Sequence, residues 1–416
     1  MSKIVLNEGQ QRAADAAIDW FRNSSEQTFQ IVGNAGTGKS VVISEILRRL
    51  KLKDDEVLPM AFTGQACTIM RKRGMPKACT LHSGLYTAVK KVKYDKRGNP
   101  IMNPILNTPV CKWEYIPKDF TDTKIKLIII DEAWMVPSYM RSVIDRTGIK
   151  VLAAGDDGQL PPIHGDPAYL TSGIIYRLTE LMRQSENSPI IYLANRARNG
   201  EYIEPGVYGN SAIVIFDEDL DHEILSRSNV VLCGTNRTRD QINHIFRNEI
   251  LGIHVPQPTF GERVICRENN WDIEVGGYNL VNGLTGFVAS NPEVSWFNQS
   301  MITFDFLPDL INQPFRRLDV NYQYITCESK EEREAIKDSS YSEGEMFEFA
   351  YASTVHLSQG SEYETGTYIE EYTRKNFNAL NYTAITRFKT GLIYVMHKPN
   401  FWKIQNPVQA YNIEMR

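Results

Sequence analysis

The chain has 416 residues, with 42% hydrophobic and 23% charged side chains and a formal net charge of −4. That length holds two to four domains with a core in each, and the composition is globular rather than disordered or fibrous. A pI near 6.1 argues against a purely electrostatic nucleic-acid binder, and no run reaches the ~20 apolar residues of a membrane span. Six scattered cysteines without C-x-x-C pairs point to buried thiols in a reducing compartment rather than zinc ligands. With no signal-peptide core at the start of the sequence, a cytoplasmic location is the expectation.

Taken in chain order, Gln27 to Val32 (QTFQIV) predicts a short strand, and Val41 to Leu50 (VVISEILRRL) has helical apolar spacing. Between them lies GNAGTGKS, Gly33 to Ser40. Gly33, Gly36 and Gly38 permit a tight backbone path that turns the N–H groups of the loop, those of Asn34, Ala35 and Thr37 included, toward an anion. The helix N-terminus adds partial positive charge, Lys39 reaches terminal phosphates, and the Ser40 hydroxyl ligates Mg²⁺. The expected ligand is ATP with Mg²⁺.

Roughly Lys90 to Asp119 is rich in turn formers and charge. Lys90, Lys91, Lys93, Lys96 and Arg97 precede Gly98-Asn99-Pro100, and Trp113 and Tyr115 follow, a pattern that predicts a β-hairpin. Lys126 to Glu132 (KLIIIDE) then predicts a buried central strand with acids at its C-terminal end, where open α/β sheets bind ligands. Asp131 would hold Mg²⁺, and Glu132 would deprotonate an attacking water. Lys150 to Pro162 (KVLAAGDDGQLPP) is a further strand running into a polar loop, where Gln159 suits a sensor of the terminal phosphate. Asn229 to Thr235 (NVVLCGT) begins a second strand series that Gly391 to His397 (GLIYVMH) closes. Within it, about 292–345 reads as a β-module, with Tyr322 to Cys327 (YQYITC) as one strand.

The ordered series LNEGQQ, GNAGTGKS, AFTGQA, TLHSGL, IIIDEA, GDDGQLPP, LTELMRQ, TVHLSQGSEYE and NYTAITRFK resembles the motifs of superfamily 1B DNA helicases of the RecD/Dda type, and phage Dda-like helicases in particular. The resemblance implies an α/β fold of two tandem RecA-like P-loop domains with parallel sheets: residues 1–185 with a hairpin inserted about 88–120, and 186–416 with a small β-barrel-like module about 292–345. It implies ATP-driven 5′→3′ movement on single-stranded DNA by a monomer that unwinds duplex junctions alongside replication or recombination proteins. Gln10 would read the adenine edge. Arg183 and Arg387 would be arginine fingers, and Gln359 and Gly360 would bring the second domain's loop to the γ-phosphate. DNA would be held by Phe62, Thr63, Thr80 and His82 in the first domain and by Asn236, Thr354 and His356 in the second. Leu357 stands where the family has lysine, so one positive charge is missing. Two other classes share the loop, a phosphotransferase and a non-hydrolysing scaffold; Arg387 argues against the first and Glu132 against the second.

Overall fold

The computed structural model describes residues 6–397, apart from 103–106, 108, 164, 181–186, 296–299, 310, 328, 339–342 and 374. The helix Glu8–Asn23 opens on a capping box: the Asn7 side chain accepts from Gln10 N at 2.7 Å, and Gln10 Oε1 accepts from Asn7 N at 3.1 Å. These bonds satisfy N–H groups that the first helical turn leaves without partners. Its apolar face, Ala13, Ala14, Ala17, Ile18 and Trp20, is buried against the first sheet.

That sheet is parallel throughout. Its order is Cys79–Thr80, Val57–Ala61, Leu127–Ile130, Lys150–Gly155, Thr28–Gly33 and Ile174–Leu178. The strand Leu127–Ile130 shows why a continuous apolar run was needed. Leu127 and Ile129 enter the core beneath the helices Glu8–Asn23 and Lys39–Leu50, whereas Ile128 and Ile130 enter the core on the opposite face. Side chains alternate with period two, so a strand covered on both faces has no polar position to spare. The hairpin of Tyr86–Val92 and Cys111–Pro117 rises from this domain with its strands in continuous antiparallel register.

The second sheet has the order Ala352–Thr354, Val231–Cys233, Tyr363–Ile369, Phe388–Met396, Ala212–Phe216 and Gly206–Tyr208, parallel except for the last, edge strand. The second strand series therefore starts upstream of Asn229, at the edge strand Gly206–Tyr208 and the apolar run Ala212–Phe216, which the sequence reading did not single out. The helices Pro189–Asn199 and Phe377–Ile385 pack together over this sheet.

A third, antiparallel sheet runs from Arg263 to Phe349, further upstream than 292. Along Met301–Pro308, Ile302, Phe304 and Phe306 face its core, and Phe347 meets Phe304 and Phe306 edge-on with ring centroids 5.7 and 5.0 Å apart. Tyr322–Thr326 is a short helix and not the expected strand. Asn321 caps it by accepting from Tyr324 N at 2.8 Å, and this local bond overrides the β-preference of the sequence.

Candidate functional site

The loop Gly33 to Ser40 joins the strand Thr28–Gly33 to the helix Lys39–Leu50. Gly36 and Gly38 have φ of 82° and 79°, left-handed values that glycine adopts without steric cost. At Gly33 a Cβ would stand 2.5 Å from Thr37 Oγ1, so the loop closes on itself too tightly for any side chain. Lys39 Nζ donates to the carbonyls of Gly33 (2.6 Å) and Asn34 (3.2 Å). Gln10 is buried, and its Nε2 donates to Thr37 O at 3.0 Å. Both ends of that amide are thus engaged by the chain itself, in tying the first helix to the loop.

The strand Leu127–Ile130 delivers Asp131 and Glu132 to the same place. Glu132 N–H donates to Asp131 Oδ1 at 3.0 Å, and Glu132 has a φ of 52°. A left-handed residue with a side chain costs roughly 1–3 kcal/mol, a strain that clusters at working sites. Burial pushes both carboxyls above the usual range. Arg387 opposes this most for Glu132, while the Glu132 N–H, Arg73 and Lys39 oppose it for Asp131.

These groups line a cleft of about 660 Å³ between the two parallel sheets. Gln159 lines it from the first half, and Gly360, Glu362, Arg387 and Lys389 from the second. Arg387 is buried, with Nη1 3.8 Å from Glu132 Oε1. Arg183 lies outside the described residues. The halves are stitched across the cleft. Ala35 N–H donates to the Tyr382 hydroxyl at 2.8 Å, and that hydroxyl donates to Asp156. Arg198 bridges the Asn34 side chain and Asp157 (2.9 Å). Gln359 Nε2 donates to Leu160 O at 2.9 Å.

Sequence reasoning did not single out Arg73, whose Nη1 donates to Ser40 Oγ at 2.7 Å and whose Nη2 pairs with Glu362 at 3.3 Å. Nor did it assign Glu362, Lys389 or Tyr382, although all three lie inside the motif series; Arg73 and Arg198 carried no motif signal at all. The donors fit a Mg-nucleotide. Ser40 offers a hydroxyl and Asp131 a carboxylate, hard oxygens for an ion that takes most of its shell from water and phosphate. Among the described residues no cluster of three or more His, Cys, Asp or Glu is built to hold a metal by itself.

A second depression of about 770 Å³ spans both halves and the third sheet. Phe62, Thr63, Thr80 and His82 line one wall, and Asn236, Thr354 and His356 the other. Two helices, Gly64–Lys72 and Asn236–Ile245, begin here, capped by Thr63 and Thr235, which accept from Ala66 N and Thr238 N at 3.2 Å each. The first start brings partial positive charge to the groove, whereas Glu371, accepting from Thr235 N at 2.7 Å, offsets that of the second. Burial lowers the affinity of His82 and His356 for protons, which favours neutral rings. His82 also sits among aromatics, with centroids 6.2 Å from Phe62 and 5.9 Å from Tyr115 at the base of the hairpin.

Cleft and groove meet at Gly360. Its φ is +77°, and a Cβ there would stand 2.5 Å from Thr63 Oγ1 and 3.1 Å from Ala66 Cβ. Gly360→Ala is expected to lower stability by about 1–3 kcal/mol through backbone strain and overpacking. The denaturant midpoint reads this out, and an unchanged midpoint would show that the halves separate freely.

Two α/β halves, with a phosphate loop in one and an arginine facing it from the other, define a P-loop NTPase fold. Residues 5–212, half of the chain, match the family described as AAA domain, and the protein belongs to that family. Solved structures of Pif1 helicases share the fold across nearly the whole chain. One, described as two coordinating Pif1 helicases at forked dsDNA, is 19% identical, with 99% of this chain and 98% of that one covered and a TM-score of 0.56. The Bacteroides Pif1 helicase in complex with ADP-AlF3 and ssDNA is 18% identical over 99% and 98%, with a TM-score of 0.54. Pif1 helicase from Candida albicans is 18% identical over 99% of both chains, with a TM-score of 0.51. An uncharacterized protein of Acanthamoeba polyphaga mimivirus is 23% identical over 167 residues, which span 38% of this chain and 34% of that relative's length. Among the described residues no helix is long and apolar enough to cross a membrane.

Proposed function

We propose that this protein is an ATP-dependent DNA helicase that hydrolyses ATP to move along single-stranded DNA and separate duplex ahead of it. One observation carries the reading: the loop, Asp131 and Glu132 of one half face Arg387 of the other across a single cleft, and the groove beside it is walled by the same two halves. A change in how the halves sit around the nucleotide must alter the groove as well. That is what converts hydrolysis into movement.

In this reading the backbone of Gly33 to Gly38 and Lys39 hold the phosphates, and Ser40 and Asp131 hold Mg²⁺, which screens phosphate charge when bound. Glu132 takes the proton of the attacking water, and Gln159 reports the terminal phosphate. Arg183 and Arg387 stabilise the charge that spreads over the phosphoryl oxygens, a role suited to a planar, permanent cation. Gln10 reads the adenine edge, its amide exchanging a bond to Asn7 or Thr37 for the base. Gln359 and Gly360 keep the second half's loop against the first. Threonine hydroxyls, Asn236 and the two histidines contact phosphate and sugar, which carry no sequence information, and Phe62 offers a ring for a base. We assign 5′→3′ polarity, a monomeric motor, a role in replication or recombination and a cytoplasmic location. The last is supported by six cysteines that are all free thiols.

ATPase measured with and without single-stranded DNA tests this directly, and turnover indifferent to DNA would reject it. The hairpin gives a second test. Its strands are paired from Tyr86↔Pro117 to Val92↔Cys111, so residues 93–110 can be replaced by a short Gly-Ser turn without breaking them. DNA-stimulated ATPase should survive that change, while unwinding of a duplex with a 5′ tail falls sharply, because opening a step costs roughly 1.4 kcal/mol of stacking that a wedge must hold apart. Parallel loss of both rates would make the tip part of the motor, and no loss would make it a solvated turn.

A further inference from the structure

The groove side chains assigned to DNA are all uncharged: threonines, Asn236, Phe62 and two histidines held toward the neutral form. Leu357, which also lines the groove, contributes no charge either. Single-stranded nucleic acid carries a negative charge at every phosphate, and binding draws much of its strength from cations that displace counterions. Among the described residues lining the groove there is no carboxylate, and its permanent positive charges come from Arg239 and Arg267.

The two arginines are not equivalent. The Arg239 side chain is 5% exposed and fully engaged: Nη1 lies 3.1 Å from Glu348 Oε2, and Nη2 2.8 Å from Asp240 Oδ1. Arg267 leaves the strand Arg263–Cys266 with its side chain 21% exposed, anchored through Nε to Glu348 Oε1 at 3.1 Å. The Tyr324 hydroxyl donates to the same carboxylate oxygen at 3.0 Å, and Arg333 pairs with Asp240 at 3.0 Å. Three guanidiniums thus share two carboxylates, while a further carboxylate, Glu371, lies behind the same wall and accepts from Thr235 N at 2.7 Å. Burial raises the Glu348 carboxyl, but the three arginines outweigh this and hold it below the usual range, so it stays ionised as an anchor.

We propose that Arg267 is a phosphate-binding residue of the groove, supplying from the third sheet the full positive charge that position 357 lacks, with Glu348 and Arg239 as positioning residues that aim it. This rests on the reading that single-stranded DNA occupies the groove. The third sheet thereby closes the groove electrostatically over a strand that the two RecA-like halves hold through neutral donors.

The test is the affinity of the full chain for a fluorescein-labelled oligo-dT, measured from ~50 to ~200 mM salt, a range in which phosphate contacts dominate the salt dependence. Arg267→Gln should weaken binding roughly tenfold at the low end, the size of one charge-assisted contact. It should also make the slope of log K against log salt shallower by about 0.7, the value for one single-strand phosphate. Arg267→Lys should keep the wild-type slope. Arg267→Gln leaves Glu348 with one partner fewer, so Arg267→Gln with Glu348→Gln is the companion variant, and it should show the same loss of slope. A wild-type slope in Arg267→Gln overturns the proposal, as does an equal loss of slope in Arg267→Lys, which would mark a purely structural role. A wild-type protein that binds no oligo-dT overturns the occupancy of the groove as well, whereas strong wild-type binding with an unaltered slope in the variants removes only the role of Arg267.

Discussion

Glu132→Gln is expected to bind Mg-ATP as tightly as the unaltered protein and to hydrolyse it some ~10²–10⁴-fold more slowly, the range of a lost general base. The amide keeps the size and left-handed backbone of the residue but cannot accept the proton of a water. Burial already lifts the Glu132 carboxyl, and Arg387 and Lys39 counter the lift. Lys39→Ala should differ in kind, because it removes the charge that both nucleotide states need, so nucleotide binding and turnover fall together. A nucleotide-binding titration alongside DNA-stimulated ATPase separates the two. Retention by Glu132→Gln of more than a tenth of the turnover, about 1.4 kcal/mol of barrier, would remove the residue from the chemistry.

Arg387→Ala is expected to cost a comparable ~10²–10⁴-fold in turnover, by analogy with other arginine fingers, while single-stranded DNA affinity stays within a few-fold. The residue is buried at the end of the helix Phe377–Ile385, where its Nε donates to Thr383 O at 3.2 Å and its Nη1 to Ser361 O at 3.3 Å. Those two carbonyls hold the guanidinium at the cleft, 3.8 Å from Glu132. Arg387→Lys should recover little, since a single ammonium cannot replace two fixed donors and a planar charge. Equal loss of turnover and of DNA binding would mean that the substitution had only loosened the helix, and wild-type turnover would sink the two-sided cleft.

The local parts of this site are legible in the residues themselves. A strand, three glycines, Lys39-Ser40 and a helix make an anion cradle through their own backbone geometry, and no distant residue is needed to recognise it. The run before Asp131 is readable because four apolar residues in succession, bounded by charge on both sides, suit a short strand buried on both faces. Where local signals compete, the sequence misleads. Tyr322 to Thr326 has the aromatic and β-branched content of a strand, yet the Asn321 cap folds it into a helical turn. Arg263 to Cys266 lies far upstream of the turn-rich stretch, and only its pairing with Thr285–Val288 and Phe347–Phe349 makes it part of the third sheet.

The sequence alone thus determined the phosphate loop, the paired acids and the buried strands, because each is specified within about ten residues by backbone conformation and hydrophobic period. The cleft itself belongs to the tertiary structure. Ala35 and Tyr382 are 347 residues apart, and Arg198 and Asn34 are 164 apart. Ser40 meets Arg73 only because the helix Gly64–Lys72 ends beside the loop. Such pairs depend on how two sheets and a β-module pack, and even where both partners lie in motifs, packing is governed by summed contacts between distant surfaces that no local period or cap encodes.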